Sequence, residues 1–225
     1  NYTESLHCFS VLPTYYYRPE IPEHFKSRQE LGFNENEHLY FCSQNLLKIQ
    51  PDFDFIVSKI LIADTRGRFL FLEDKLPHVN QSLKERLKQN CHEAYERIEF
   101  VKRRPFSDYL NLVQVVDLIM DPFHYVGANT SYDAFAVATP VITLPSNYHR
   151  GRHTYAAYQE MGIFDAIAKD TDDYVSKAVY YASHPDENKA LGQRILNKCD
   201  ILFENITIVK EYEAFFDEKT NALKS

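Results

Sequence analysis

The chain has 225 residues, 44% of them hydrophobic, and a formal net charge of −7. That is enough apolar material for one sizeable core, and the acidic balance argues against a nucleic-acid sleeve, which needs a basic stripe. No apolar run nears the roughly 18 residues of a bilayer span and no charged-then-apolar leader opens the chain, so a soluble protein without a membrane partner is expected.

Residues 1–37 are rich in Pro, Tyr and charge, with no sustained period of 2 or 3.6, and read as an extended arm with room for one short helical turn. Apolar runs then alternate with amphipathic segments. "HLYFCS" (38–43) reads as a strand, and the following "QPDFDFIVSKILIAD" as a helix with Phe53, Ile56, Val57 and Ile60 on one face. "RFLFLE" (68–73) and "VNQSLKERLKQNCHEAYER" (79–97) repeat the alternation, as do "IEFV" (98–101) and "FSDYLNLVQVV" (106–116). "DLIMD" (117–121) leads to "SYDAFAVA" (131–138), and "VITLP" (141–145) to "TYAAYQEMG" (154–162). Continuously apolar strands between helices of this length predict an α/β fold, a doubly wound parallel sheet covered on both faces. From residue 171 the pattern is helical, with Thr171, Asp172 and Asp173 as a helix start, so one lobe over 38–225 with a helical C-terminal tail is expected.

Cys8, Cys42, Cys91 and Cys199 are scattered, with no C-x-x-C pair and no His at ligand spacing. This argues against a zinc site or disulfide framework and for a reducing, cytoplasmic setting. The N-x-S/T triplets at Asn1, Asn80, Asn129 and Asn205 carry little weight, because the triplet is common by chance. The chain opens on Asn1 rather than Met, which reads as an excised piece of a longer protein.

The most informative stretch is "DPFHYVGANTSYDAFAVATPVITLP" (121–145). A strand passes through a loop into Gly127-Ala128-Asn129-Thr130-Ser131, which opens a helix. Glycine there permits a left-handed or close-approach backbone, and small neighbours leave room for an anion at the helix N-terminus. An ordinary N-cap by Asn129, Thr130 or Ser131, with no ligand, accounts for the same residues equally well. Neither G-x-G-x-x-G nor G-x-x-x-x-G-K-[ST] is present. Asp52 and Asp54 in "PDFDF" have D-x-D spacing but read as a solvated helix start rather than metal ligands.

With "SNYHRGRHTYAAYQEMGI" after it, the same stretch resembles the donor-binding lobe of the SPINDLY-like and O-linked N-acetylglucosamine transferase family. The elements D-P-F-x-x-x-G-x-N-T, T-P-V-x-T-L-P, R-G-R-x-T and M-G occur in the family's order, and the resemblance covers roughly residues 38–170. It implies the second lobe of a glycosyltransferase-B fold, in an inverting, metal-independent enzyme with no cofactor. Such an enzyme moves a sugar from a nucleotide diphosphate donor, of UDP-GlcNAc or UDP-glucose type with a GDP-sugar also possible, to protein Ser or Thr. An N-terminal lobe and tetratricopeptide repeats would complete it, so this piece alone is expected to bind nucleotide weakly and transfer nothing. A non-catalytic nucleotide-binding or scaffold domain of the same fold, or a transferase acting on glycans or lipids, are the other readings.

Residue by residue, the resemblance makes Lys48 the leading cation for the departing diphosphate, whose growing charge must be stabilised. Asn45, with Gln44 as its rival, matches a family amide at the phosphate or sugar. Arg104 or its peptide group falls at the base edge. Gly127, Asn129 and Thr130 form the phosphate cradle, and Asp133, three residues on, suits a ribose hydroxyl or a capping box. Arg152 matches the family arginine, with a structural, acid-paired role as the alternative. Ala128 and Tyr109 stand where the animal enzymes have His, and Ala138 where the family has Gly. His124 lies in the cradle loop, where a lone His is commonly incidental.

Overall fold

Every residue of β1 (His38–Cys42) is buried, as a strand covered on both faces requires. A computed structural model describes residues 3–222 and pairs β1 in parallel with β2 (Gly67–Leu72) and with β4 (Leu118–Met120). β3 (Ile98–Val101) extends the sheet beyond β2 and β5 (Val141–Ile142) beyond β4. The strand order is β3-β2-β1-β4-β5, all parallel, which is the doubly wound α/β fold expected from the alternation.

The chain builds outward from β1 to β3 and then returns to lay β4 on the other flank of β1. Right-handed crossovers put the helices of the two halves on opposite faces. Accordingly α1 (Pro51–Ala63) packs on α2 (Pro77–Cys91) and α6 (Thr171–Ser183), whereas α3 (Phe106–Val115) packs on α4 (Asn129–Ala136), and α4 on α7 (Pro185–Lys198). The crevice beyond the carboxyl ends of β1 and β4, where the winding reverses, is where sheets of this kind hold ligands. α5 (His153–Met161) follows β5, and α8 (Ile206–Ala222) ends the described chain in the expected helical tail.

Local departures from the expected elements have local causes. The helix over 79–97 ends at Cys91, because His92 takes φ +48 and residues 92–97 wind as 3-10 turns. "VITLP" contributes only two strand residues, because Thr143 turns to bridge Ile167. Residues 3–37 contain no helix or strand, and the arm is tied down by ion pairs of Arg18 with Asp200 and of Arg28 with Asp117, the latter at 2.7 Å. The triplet at Asn1 and the end of the tail beyond Ala222 lie outside the described residues.

Asp54 corrects the expectation of a solvated helix start. It is fully buried, and Arg86 reaches it from α2 with Nε 2.7 Å from Oδ2 and Nη2 3.0 Å from Oδ1. Phe53 and Ile56, its apolar neighbours, bury the face of α1 that turns toward the sheet, and Asp54 is drawn in beside them.

Ala138 follows α4 with φ +63, a left-handed conformation that costs an L-residue about 1–2 kcal/mol. A glycine at that position is the usual way to end a helix. Ala138→Gly is therefore expected to stabilise the fold by about 1 kcal/mol in urea denaturation. An unchanged or lower midpoint would show that the backbone strain is relieved some other way.

Candidate functional site

At the carboxyl ends of the strands a cavity of about 510 Å³ opens, within the range of small-molecule sites. Segments far apart in sequence meet in its wall. Ser43, Gln44 and Asn45 come from the end of β1, and Arg103 and Arg104 from the end of β3. Phe106 and Tyr109 come from α3, and Thr130 and Asp133 from α4.

Gln44 is buried and fixed at both ends of its amide. Its Nε2 donates to Val126 O at 3.0 Å and its Oε1 accepts from the Asn45 N–H. Gln44 thereby ties the end of β1 to the loop after β4. The side chain of Asn45 caps the short 3-10 turn Leu46–Lys48, accepting from Leu47 N at 2.9 Å. The next residue along that turn, Lys48, sends Nζ to 3.3 Å from Gln44 Oε1 and 3.8 Å from the centre of the Tyr125 ring.

Gly127 serves close approach, not left-handed backbone, since its φ is not among the positive values. Its N–H donates to Asp121 Oδ1 at 2.8 Å, and its carbonyl accepts from Thr154 at 3.2 Å. A Cβ added there would fall 2.4 Å from Ser131 Oγ and 2.7 Å from Thr130 Oγ1. The glycine lets the loop fold down onto the first turn of α4. That turn is not capped by Asn129, Thr130 or Ser131: Ala128 occupies the N-cap, with no side-chain hydrogen bond.

Asp133 does not reach back as a capping-box partner. It is buried one turn into α4 and accepts a bond from the Tyr16 hydroxyl of the arm at 3.3 Å. Burial pushes its carboxyl up to about 6, against the lowering effect of that bond. Asp121, at the end of β4, is likewise pushed up to about 6 by burial, and its Oδ2 has no hydrogen-bond partner. The Tyr109 hydroxyl is also buried without a well-formed bond, although Ser43 lies beside it, and its ring stacks on Phe106 at 6.1 Å. A perturbed carboxyl in a cleft wall is a recurring mark of functional sites, and Asp133 is one, whereas Asp121 lies buried behind the wall against Gly127.

The geometry therefore brings Gln44, Asn45, Arg104, Thr130 and Asp133 together in one wall, with Gly127 behind it and Lys48 bonded to its rim. Asn129 faces a second, smaller cavity across the same helix turn. Arg152 is apart from these. It lines a cavity under the arm, bonds Ser146 O at 3.1 Å and covers Tyr155, with no acidic partner among the described residues. His124 is not a lone residue: its Nε2 is 2.6 Å from Asp52 Oδ2, and its φ is +66. Sequence reading missed Tyr16 and Asp121. An acid closing an apolar strand was a usable signal for Asp121, whereas Tyr16 meets Asp133 across 117 residues of chain and left none.

A family model for glycosyl transferase family 41 matches residues 20–212. An Arabidopsis thaliana protein named "Probable UDP-N-acetylglucosamine--peptide N-acetylglucosaminyltransferase SPINDLY" is 24% identical over 143 residues, 62% of this chain and 15% of that protein. The chain thus spans a small fraction, about 15%, of the length of the curated relatives it matches. Among solved structures, an O-GlcNAc transferase variant of Thermobaculum terrenum superposes with a TM-score of 0.71 at 22% identity, covering 80% of this chain and 36% of that one. The Anabaena protein Alr3699/HepE, solved in complex with UDP and glucose, gives 0.63 at 14% identity, covering 85% and 51%. At these identities the structures speak for the fold.

Proposed function

The chain belongs to glycosyltransferase family 41, and from that premise we propose that it is the donor-binding lobe of an inverting, metal-independent transferase that moves a sugar from a UDP-sugar to protein Ser or Thr. The observation that carries this reading is the cavity at the winding switch, where four separate segments deliver an amide pair, two arginines, two aromatics and a buried acid. A structural neighbour holding UDP and glucose on the same fold supports the donor class.

In this reading the nucleoside occupies the larger cavity. Phe106 and Tyr109 offer ring faces to the base, Arg104 its edge, and Asp133 accepts from a ribose hydroxyl through the oxygen that Tyr16 leaves free. The diphosphate crosses the uncapped first turn of α4, where the Asn129 and Thr130 N–H groups face it. As the bond from the sugar to the diphosphate breaks, negative charge grows on the leaving oxygens. Lys48, already held by Gln44 and Tyr125, neutralises it without reorganising. The proton acceptor for the incoming hydroxyl comes from outside the residues assigned here.

Calorimetric titration with UDP and GDP is the direct test. UDP is expected to saturate the site and GDP to bind more weakly. Lys48→Ala is expected to weaken UDP by roughly 10- to 100-fold, the worth of a charge-assisted bond. Absence of saturable binding by either nucleotide, or binding indifferent to Lys48→Ala, would overturn the reading.

A further inference from the structure

Across the first turn of α4 from the larger cavity lies a second one, of about 210 Å³, lined by Ala128 and Asn129, by the arm through Thr14 and Tyr16, and by His153 from the start of α5. His153 stands edge-on to His149, with ring centroids 4.6 Å apart. Lys48, from the turn after β1, is near enough to repel it. Among the described residues Lys48, His149 and His153 have no acidic partner, although the chain carries 32 acidic residues against 25 Lys and Arg. Arg28, Arg86 and Arg194, by contrast, each hold a carboxylate. A knot of bases left without carboxylates in an acidic protein is repulsive until an anion joins it.

The titratable and charged groups that face His153 through its two cavities come from every packed element. They are His149 and Arg152, Tyr132 of α4, and His7, Cys8, Tyr15 and Tyr16 of the arm, with Lys48 acting on it from outside both cavities. No carboxylate is among them. Burial first, then the His149 and Lys48 charges, hold the His153 imidazole below its ordinary range. In the free protein at neutral pH it is the uncharged form that this setting favours.

We propose that His153 is a further ligand of the donor diphosphate, on the side of α4 away from the nucleoside, and that it carries its second proton only while the anion is bound. The inference rests on the donor-site reading above. The balance is simple: neutral imidazole plus one solvent proton becomes imidazolium as the diphosphate seats, and the proton returns when the nucleotide leaves. Departing charge then meets two cations, Lys48 fixed and His153 recruited.

The test is calorimetry of UDP binding at pH 7.5 in buffers of differing ionisation heat, which counts protons taken up. A binding enthalpy that rises with the buffer's ionisation heat, its positive slope counting the protons taken up, is expected from this chain. His153→Gln should abolish the uptake and weaken UDP by up to about tenfold. His153→Arg, a permanent cation, should bind UDP with no uptake, and a melting curve matched to the parent shows that either variant is folded. His149→Gln should keep the uptake. Saturable binding without proton uptake, or uptake that survives in His153→Gln, overturns the role of His153 while the donor site stands. Absence of UDP binding by the parent chain overturns the donor site and the role of His153 with it.

Discussion

Arg86→Met is expected to cost the fold about 3–5 kcal/mol and to lower the melting temperature by roughly 6–20 °C. The reason lies beneath the surface of α1. Asp54 has no exposure to solvent, and its carboxylate is held by two nitrogens of Arg86 and by Asn90 Nδ2 at 2.9 Å. The same guanidinium donates to the Ile49 carbonyl at 2.9 Å, which pins the turn carrying Lys48 to α2. Methionine keeps the stem of the side chain but leaves a buried charge without its counterion. Because the Arg86 side chain is 31% exposed, water reaches part of the gap, which favours the lower end of the range. Adding Asp54→Leu to Arg86→Met should restore most of the loss, since an apolar pair of similar volume replaces a buried ion pair at little cost. Urea denaturation of the three variants checks this. A single-variant loss below about 1 kcal/mol would mean that the pair contributes little.

Asp133→Asn is expected to act in opposite directions on binding and on stability. It should weaken UDP by roughly 10- to 100-fold, because the ribose hydroxyl loses an ionised acceptor. At pH 7 it should stabilise the folded chain by on the order of 1–2 kcal/mol. The carboxyl titrates at about 6 when folded and near 4 when unfolded, with burial as the main cause. Between those values the folded protein holds a proton that the unfolded chain has released, so stability falls as pH rises from about 4 to 6 and is level above. Asp121 titrates in the same window and adds to the slope, so Asn at 133 removes part of it and not the whole. Denaturation midpoints at pH 4.5 and 7, beside nucleotide titration, give both readings. An Asn variant that binds UDP as tightly as the parent would remove Asp133 from the site.

How much of this was legible in advance depended on range. The period of α1 placed Phe53, Ile56, Val57 and Ile60 in the core, where all four are buried. It placed Asp54 wrongly, because a polar residue at a helix start looks the same whether it meets water or an arginine 32 residues away. The alternative roles offered for Gly127 were separated only by its neighbours. Its φ is ordinary and its missing Cβ is what Ser131 and Thr130 need. Arg152 matched a motif by spacing yet lies under the arm, bonded to a backbone carbonyl.

The sequence by itself determined the alternation of buried strands and amphipathic helices, and with it the parallel sheet, because hydrophobic period and turn chemistry act over a few residues. Tertiary structure alone decided which chain ends meet at the switch between β1 and β4. It also decided that Tyr16 closes on Asp133 and that Lys48, His149 and His153 share a space without an acid. Burial and electrostatic repulsion are properties of distance in space, and distance along the chain does not encode them.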